Sequence, residues 1–374
     1  MPYFALLGLQ SSVTALPTND FGPCVKSALA SGAAADVSVA SPWGGLTYDT
    51  TKPAAVATSV YLRDNYGTNA GKDLILLEYR ETTALGVAEW VAFVGAAFDK
   101  EAAAARVMAD AAAAYDCAKR AVAARALQVA KPKVLWVTLF NNAYGGWFIG
   151  SCPNYYCGLV ADAGGEFLTV PGGSAGLAST APALLAAFAA ADVIIYANND
   201  WAATLAPNLP GAPAPPDADL AALLAKTPAV ANKRVFDIWG LGTYAWFELR
   251  PAQPALTLGD VAVAVSPSAA LPAPTLLRNV IITPAGVGTS PLVSLASCGA
   301  PLPVAALNVA PCGGGATPSQ LSPAQVGGIA AGVTGAVLVG FLALKLWGAK
   351  APALALKTVT LAEGHAAPAN VVAV

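Results

Sequence analysis

Two stretches place polar and aromatic residues directly behind strand-like apolar runs, where a ligand could be held. "VLWVTLFNNAYGGWF", residues 134–148, opens with Val134, Leu135, Trp136, Val137, Leu139 and Phe140, then breaks into Asn141, Asn142, Tyr144, two glycines, Trp147 and Phe148. "VIIYANNDW", residues 193–201, repeats the pattern with Asn198, Asn199, Asp200 and Trp201. A primary amide offers both donors and acceptors, and an aromatic ring offers broad, rigid contact area. Two earlier stretches end similarly: "ADVSVASPW" at Trp43, and "DLILLEYRET" in Tyr79, Arg80 and Glu81. The planar guanidinium of Arg80 suits a carboxylate or phosphate. This set suits noncovalent capture of a small molecule in an apolar cleft with a few polar groups. The candidate binding residues are Trp43, Arg80, Glu81, Asn142, Tyr144, Trp147, Asn199, Asp200, Trp201 and Tyr244. A plainer reading stays open for some positions. Asn or Asp behind a strand often forms a turn or caps the next helix, which applies to Asn141 and Asn198. Arg80 could pair with Glu78 or Glu81 in a solvated loop. Trp136 and Phe140, inside the apolar run, read as core.

Other chemistries are disfavoured. The only histidine is His365, near the C-terminus, which argues against a Ser-His-Asp triad, His-based acid/base work or a His-rich metal site. No GxSxG, HExxH, P-loop or GxGxxG stands in a suitable place, so neither an enzyme nor a catalytic cofactor is expected. A net charge of −2, with 11% charged residues and no basic run, argues against nucleic-acid binding, which needs clustered Lys and Arg. The six cysteines are Cys24, Cys117, Cys152, Cys157, Cys298 and Cys312. An even count suits disulfides in an oxidising compartment, with Cys152–Cys157 and Cys298–Cys312 as the short-range pairs. Cys24 and Cys117 stand open between buried free thiols and a further pairing. With no CxxC, zinc is not expected.

The elements that must position these residues alternate between helix and strand, which implies parallel sheet. The 374 residues suit two domains plus extras. Residues 2–16 have helical apolar spacing (Phe4, Leu6, Leu7, Leu9). Residues 88–130 hold long alanine runs, no proline and one glycine, Gly95. The pattern predicts a helix capped by Asp99 and running to about Val129, roughly 45 Å long. Helix–strand pairs follow up to a final strand at residues 234–239, and "LTLGDVAVAVSP" reads as a terminal helix. Residues 271–322, rich in Pro, Gly and Ser, read as a stalk. Residues 326–344 carry no charge and are long enough to span a bilayer. Lys345, Lys350 and Lys357 follow them, while residues 280–325 contain no Lys or Arg. The positive-inside rule therefore puts the tail in the cytosol and the body outside or in a lumen. The first residues lack a basic n-region and a full apolar h-region, so an N-terminus short of its export signal is expected.

Over roughly residues 1–270 the order of weak motifs resembles the helical-backbone, cobalamin/siderophore-type periplasmic binding proteins of ABC importers. "PYFALLGLQSSVTAL" is similar to an early helix of that family, "AEWVAFVGAAFDKEAAAARVMADAAAAYD" to the entry of its backbone helix, and "KPKVLWV" to the exit. "LAKTPAVANKRVFDI" and "YAWFELRPAQPALTLGDVAVAVSP" resemble its last strand segment and closing helix. The resemblance implies an α/β fold of two Rossmann-like lobes with parallel sheets, joined by one long backbone helix. The expected division is 1–98 for the N-terminal lobe, lacking its first strand, 99–130 for the interdomain helix and 131–270 for the C-terminal lobe. A stalk at 271–325, a transmembrane helix at 326–347 and a cytoplasmic tail at 348–374 complete it. The implied function is a membrane-anchored solute receptor binding a metal chelate, such as a ferric siderophore, haem or cobalamin, with an ABC permease or other uptake protein as partner. The alternative is a surface scaffold or adhesion protein that keeps the fold without the ligand.

Overall fold

The computed structural model describes residues 2–13, 15–16, 23–36, 38–40, 46–48, 61–63, 73–124, 130–140, 146–169, 181–197, 227–242, 245–266, 271, 273–283, 304 and 312. The helical spacing at the start yields α1 (Pro2–Leu6), which buries Tyr3, Phe4 and Leu6. A 3-10 turn (Gln10–Ser12) follows, then β1 (Ala15–Leu16), α2 (Pro23–Ala30), β2 (Ala35–Asp36), β3 (Ser38–Ala40), β4 (Leu46–Tyr48), β5 (Tyr61–Arg63) and β6 (Asp73–Ile75). β1 pairs with β2 and β5 with β6 in parallel, whereas β3 and β4 are antiparallel. The expected strand through residues 35–43 therefore divides. Its first two residues join β1, and Ser38–Ala40 pair with β4, the next strand, which antiparallel pairing permits without a crossover.

α3 (Ala84–Ala97) begins at Thr83, whose hydroxyl accepts the Gly86 N–H at 3.0 Å. α4 (Glu101–Ala123) is the alanine-rich helix. It runs about 35 Å, shorter than the expected 99–130. Asp99 is not its cap. Its φ is +52°, the left-handed region that Asp tolerates better than most residues, and the Lys100 N–H closes α3 by donating to the Gly95 carbonyl at 2.8 Å. Asp99 thus ends one helix instead of starting the next. The two helices then pack so closely that a Cβ at Gly95 would lie 2.6 Å from the Ala104 Cβ. Gly95→Ala should therefore force α3 and α4 apart and cost about 1–3 kcal/mol, measurable by urea unfolding.

The second half forms one sheet from β7 (Lys133–Phe140), β8 (Gly146–Ile149), β9 (Glu166–Phe167), β10 (Val193–Tyr196), β11 (Val235–Asp237) and β12 (Arg278–Asn279). β7, β10 and β11 lie side by side in parallel, with β9 parallel to the start of β7. β8 and β12 are antiparallel at the two edges, so the sheet is dominated by parallel pairing without being purely parallel. α5 (Tyr155–Asp162), α6 (Ala181–Ala190), α7 (Pro228–Ala231), α8 (Ala245–Leu249) and α9 (Pro254–Val265) complete the chain order.

Register explains the unbroken apolar runs. Leu135, Ile194 and Val235 are level and pack into one hydrophobic cluster with Phe188 of α6. Trp136, Ile195 and Phe236 are level and pack into the other, which also holds residues of α1, α3, α4, α5 and α9. A strand covered on both faces needs apolar residues at successive positions. α9 is likewise buried almost all round, so it forms despite its valines, because packing outweighs propensity.

The final strand is β12, not residues 234–239, and the stalk expectation is corrected over residues 271–283. Leu276 and Leu277 are buried. The Val280 N–H donates to the Val235 carbonyl at 3.0 Å, and the Gly240 N–H to the Leu276 carbonyl at 2.9 Å. Arg278 forms an ion pair with the fully buried Asp237. Asp260 of α9 accepts the N–H groups of Thr275 and Leu277 at 2.9 Å, and that of Leu276. The segment is thus held by backbone and carboxylate bonds as well as by its buried leucines.

Cysteine pairing is corrected as well. Cys152–Cys157 forms as expected, but Cys312 bonds Cys117 of α4 with Cα atoms 5.9 Å apart, which rules out Cys298–Cys312. Cys24 is also disulfide-bonded. The physical reason is that Val304 and Cys312 lie against the main hydrophobic cluster, beside α4. Among the described residues no helix is long and apolar enough to cross a membrane; residues 326–347 lie outside them.

Candidate functional site

The two strands that precede the first signal are parallel neighbours in the sheet. Val137, Tyr196 and Asp237 are level across β7, β10 and β11, so β10 and β11 end side by side and β7 runs on past them. β7 continues to Phe140, which pairs with Gly146 of β8. Residues 141–145 therefore connect a hairpin. Asn142 and Tyr144 fall in that connection, Asn199, Asp200 and Trp201 come directly after β10, and Tyr244 comes after β11. These six, together with Trp43, lie outside the described residues. Trp147 is on β8, opposite Leu139; its side chain, too, lies outside what is described. Trp136 is in the core as read, 4% exposed. The arrangement matches the rule that open α/β sheets bind ligands beyond the carboxyl ends of their strands.

Arg80 and Glu81 follow β6 on a 3-10 turn (Glu78–Arg80). They separate in role. Glu81 is half-buried and accepts the Trp90 indole N–H at 3.1 Å, so its carboxylate is held against α3. Arg80 is exposed, and its Nε donates to the Tyr79 hydroxyl at 3.4 Å, with the guanidinium 5.8 Å from the Tyr79 ring centre. Gly86 leaves room for this corner: a Cβ there would lie 2.8 Å from Thr83 Oγ1 and 3.0 Å from Glu81 Oε2.

A second constellation was not found from the sequence. Arg250, just past α8, sits 4.7 Å from the Tyr155 ring centre and 5.7 Å from that of Tyr156. Its Nη1 donates to the Tyr156 hydroxyl at 3.3 Å. Among the described residues, its Nε and the Tyr155 hydroxyl are enclosed without a hydrogen-bond partner. Tyr156 stacks on Trp136 at 4.3 Å, and Trp136 lies 5.5 Å from Trp246. Tyr3 of α1 reaches the same cluster and donates its hydroxyl to the Val87 carbonyl at 2.6 Å.

Burial works against charge on Arg250, but Tyr156, Tyr155, Glu78 and Tyr3 outweigh it and hold the guanidinium charged. Burial also pushes the Tyr155 phenol above its ordinary range, with Arg250 pulling the other way. The result is a permanent cation among ring faces, an arrangement worth about 2 kcal/mol or more when desolvated. It could balance an anionic group. Its members come from residues 3, 78, 136, 155, 156, 246 and 250, and no spacing in the sequence ties them together. The doubled tyrosine and "WFELR" are the only local signals. Among the described residues no group of three or more His, Cys, Asp or Glu side chains could hold a metal ion.

No family model matches the chain, and no curated protein matches it. Solved structures do. A periplasmic haem-binding protein from Pseudomonas aeruginosa superposes with a TM-score of 0.52 at 16% identity, covering 74% of this chain and 93% of that one. The periplasmic haem-binding protein HutB of Vibrio cholerae gives 0.51 at 12% identity, over 71% and 95%. CeuE of Helicobacter pylori, with Ni(II) bound, gives 0.50 at 12% identity, over 71% and 80%. The chain has the fold of periplasmic solute-binding proteins. At these identities the likeness concerns the fold; the ligand has to be argued from the chain's own residues.

Proposed function

We propose that the chain is an extracytoplasmic solute-binding receptor, anchored by residues 326–347 with its tail in the cytosol. It captures a metal chelate such as a ferric siderophore, haem or cobalamin between its lobes for uptake. One observation carries the reading: β7, β10 and β11 run parallel and side by side, and the segments that follow their carboxyl ends contain Asn142, Tyr144, Asn199, Asp200, Trp201 and Tyr244. The fold shared with haem-binding and Ni(II)-bound proteins supports a cargo of this class. Trp43, Arg80, Glu81 and Trp147 complete the proposed lining, and an ABC permease or other uptake protein would receive the cargo.

The test is titration of the purified protein with haem, a ferric siderophore and cobalamin, followed by tryptophan quenching and calorimetry. Binding of one at micromolar affinity or better is expected; failure of all three leaves the scaffold or adhesion reading. Trp147→Ala should weaken binding about tenfold, the scale of an aromatic anchor, with an unchanged unfolding midpoint. Unchanged affinity in that variant would move the site elsewhere.

A further inference from the structure

The Cys117–Cys312 and Cys152–Cys157 bonds differ in access. Cys117 lies within α4 and Cys312 against the main hydrophobic cluster, and neither is exposed. Cys152 is exposed, whereas its partner Cys157 is half-buried in the first turn of α5. An exposed disulfide is the kind that exchanges with thiols, and a shielded one resists. We propose that Cys152–Cys157 is a site of thiol–disulfide exchange, opened in the folded protein by a dithiol reductant, and that its opening loosens the turn that carries Tyr155 and Tyr156. None of these residues belongs to the proposed cargo lining.

The chemistry has a preferred direction across the bond. A thiolate of the reductant attacks the exposed Cys152 Sγ. A new S–S bond forms there as the Cys152–Cys157 bond breaks, and the electron pair leaves on Cys157 Sγ. Cys157 is the third residue of α5, whose first turn contains no acidic residue. The positive end of a helix stabilises a thiolate, and a thiolate of lower pKa leaves faster. The reductant's second thiolate then attacks its own sulfur in the mixed disulfide and expels Cys152 as thiolate. The reductant's two thiols end as a disulfide, the protein disulfide ends as two thiols, and the two protons pass between them through water.

The bond closes the loop that holds both tyrosines. Asn154 shapes that loop from within: its side-chain oxygen accepts the Cys157 N–H at 2.9 Å, and its amide donates to the Ser151 carbonyl at 2.7 Å. The Tyr155 and Tyr156 rings meet edge to face at 5.3 Å. Both lie against Arg250, and Tyr156 also stacks on Trp136. Gly158, next after Cys157, is packed so closely that a Cβ would lie 3.0 Å from the Thr82 carbonyl oxygen, at the entry to α3. The turn therefore touches both the Arg250 cluster and the start of α3, and an untethered turn would relax its hold on both.

The experiment uses the full chain in mild detergent, without denaturant, in buffers of stepped reduced-to-oxidised dithiothreitol ratio. Alkylation with N-ethylmaleimide and peptide mapping then show which cysteines are free at each step. Cys152 and Cys157 should become free together at a ratio about tenfold or more below that for Cys117 and Cys312, with the far-ultraviolet circular dichroism unchanged. Acid-quenched reaction with glutathione should place the mixed disulfide on Cys152. Hydrogen exchange in the reduced protein should be about tenfold faster at residues 155–158 and unchanged in β10. Cys152→Ser/Cys157→Ser, which needs no reductant, should show the same exchange pattern. The proposal is overturned if this bond opens no earlier than Cys117–Cys312, or opens only as the helical signal is lost. It is equally overturned if glutathione is found on Cys157, or if exchange at residues 155–158 is the same in both redox states.

Discussion

Replacing Cys117 and Cys312 together by serine should lower the unfolding free energy by about 5 kcal/mol. The bond joins residues 195 apart in sequence, and loop-closure entropy for so long a loop stabilises the folded chain by that order. The native side of the balance adds to it. Cys312 and Val304 pack against the main hydrophobic cluster, and releasing the segment would free their apolar surface as well. Since whole domains are stable by only about 5–15 kcal/mol, the double variant should unfold at much lower urea. The measurement is equilibrium unfolding without reductant, compared with Cys152→Ser/Cys157→Ser. That bond closes a sequence separation of only 5, so its entropic contribution is smaller. A loss below about 1 kcal/mol for the long-range pair would mean that Val304 and residue 312 keep their places against the cluster without the bond.

Asp260→Ala should cost about 4 kcal/mol. The carboxylate is buried and receives the N–H groups of Thr275, Leu276 and Leu277. Alanine leaves three backbone donors without a partner, each worth about 1–3 kcal/mol when buried. Hydrogen exchange should show residues 275–283 losing protection first, because Asp260 is their link to α9. The same group carries a pH dependence. Burial pushes its pKa up to about 7, against the pull of the Thr275, Leu277 and Leu276 N–H groups. A carboxyl whose folded pKa is raised holds its proton more tightly when folded. Its contribution to stability is full below about pH 4 and is lost as pH rises through about 7. Asp260→Asn, which cannot ionise, should remove that slope. Relative to the variant, the wild type should lose stability between pH 4 and pH 7; parallel curves would mean that the carboxylate ionises in the fold at its ordinary pKa.

The two halves were unequally legible for reasons visible in particular residues. Val134–Val137 and Val193–Tyr196 read as buried strands because helices cover both faces of their sheet, which leaves no polar alternation to blur the signal. α4 was legible from its alanines, although its N-terminal boundary was misplaced. Asp99 is a common cap residue, and nothing local tells a cap from a left-handed residue that closes the preceding helix. Residues 275–279 were read as stalk because their bonds run from backbone N–H groups to one distant carboxylate, and such bonds impose no side-chain pattern. Cys298 and Cys312 looked paired because short spacing was the only available guide, whereas the observed bond depends on where Cys312 comes to rest. Of the candidate site, Arg80 and Glu81 follow β6 on a 3-10 turn, and their contacts, with Tyr79 and Trp90, differ from the ion pair that was the plainer reading of Arg80.

What the sequence determined by itself was periodicity and composition: an α/β chain with parallel strands, an alanine-rich long helix, amides and aromatics behind strand-like runs, and a single histidine. These follow from local rules, because burial on one or two faces repeats every few residues. What only the tertiary structure decided was which distant residues meet. It put Arg250 over Tyr155 and Tyr156, seated Thr275–Leu277 on Asp260, and joined Cys117 to Cys312. Each of these is a contact between side chains or backbone groups many residues apart. Such contacts are fixed by the packing of whole elements, and no short window of sequence records them.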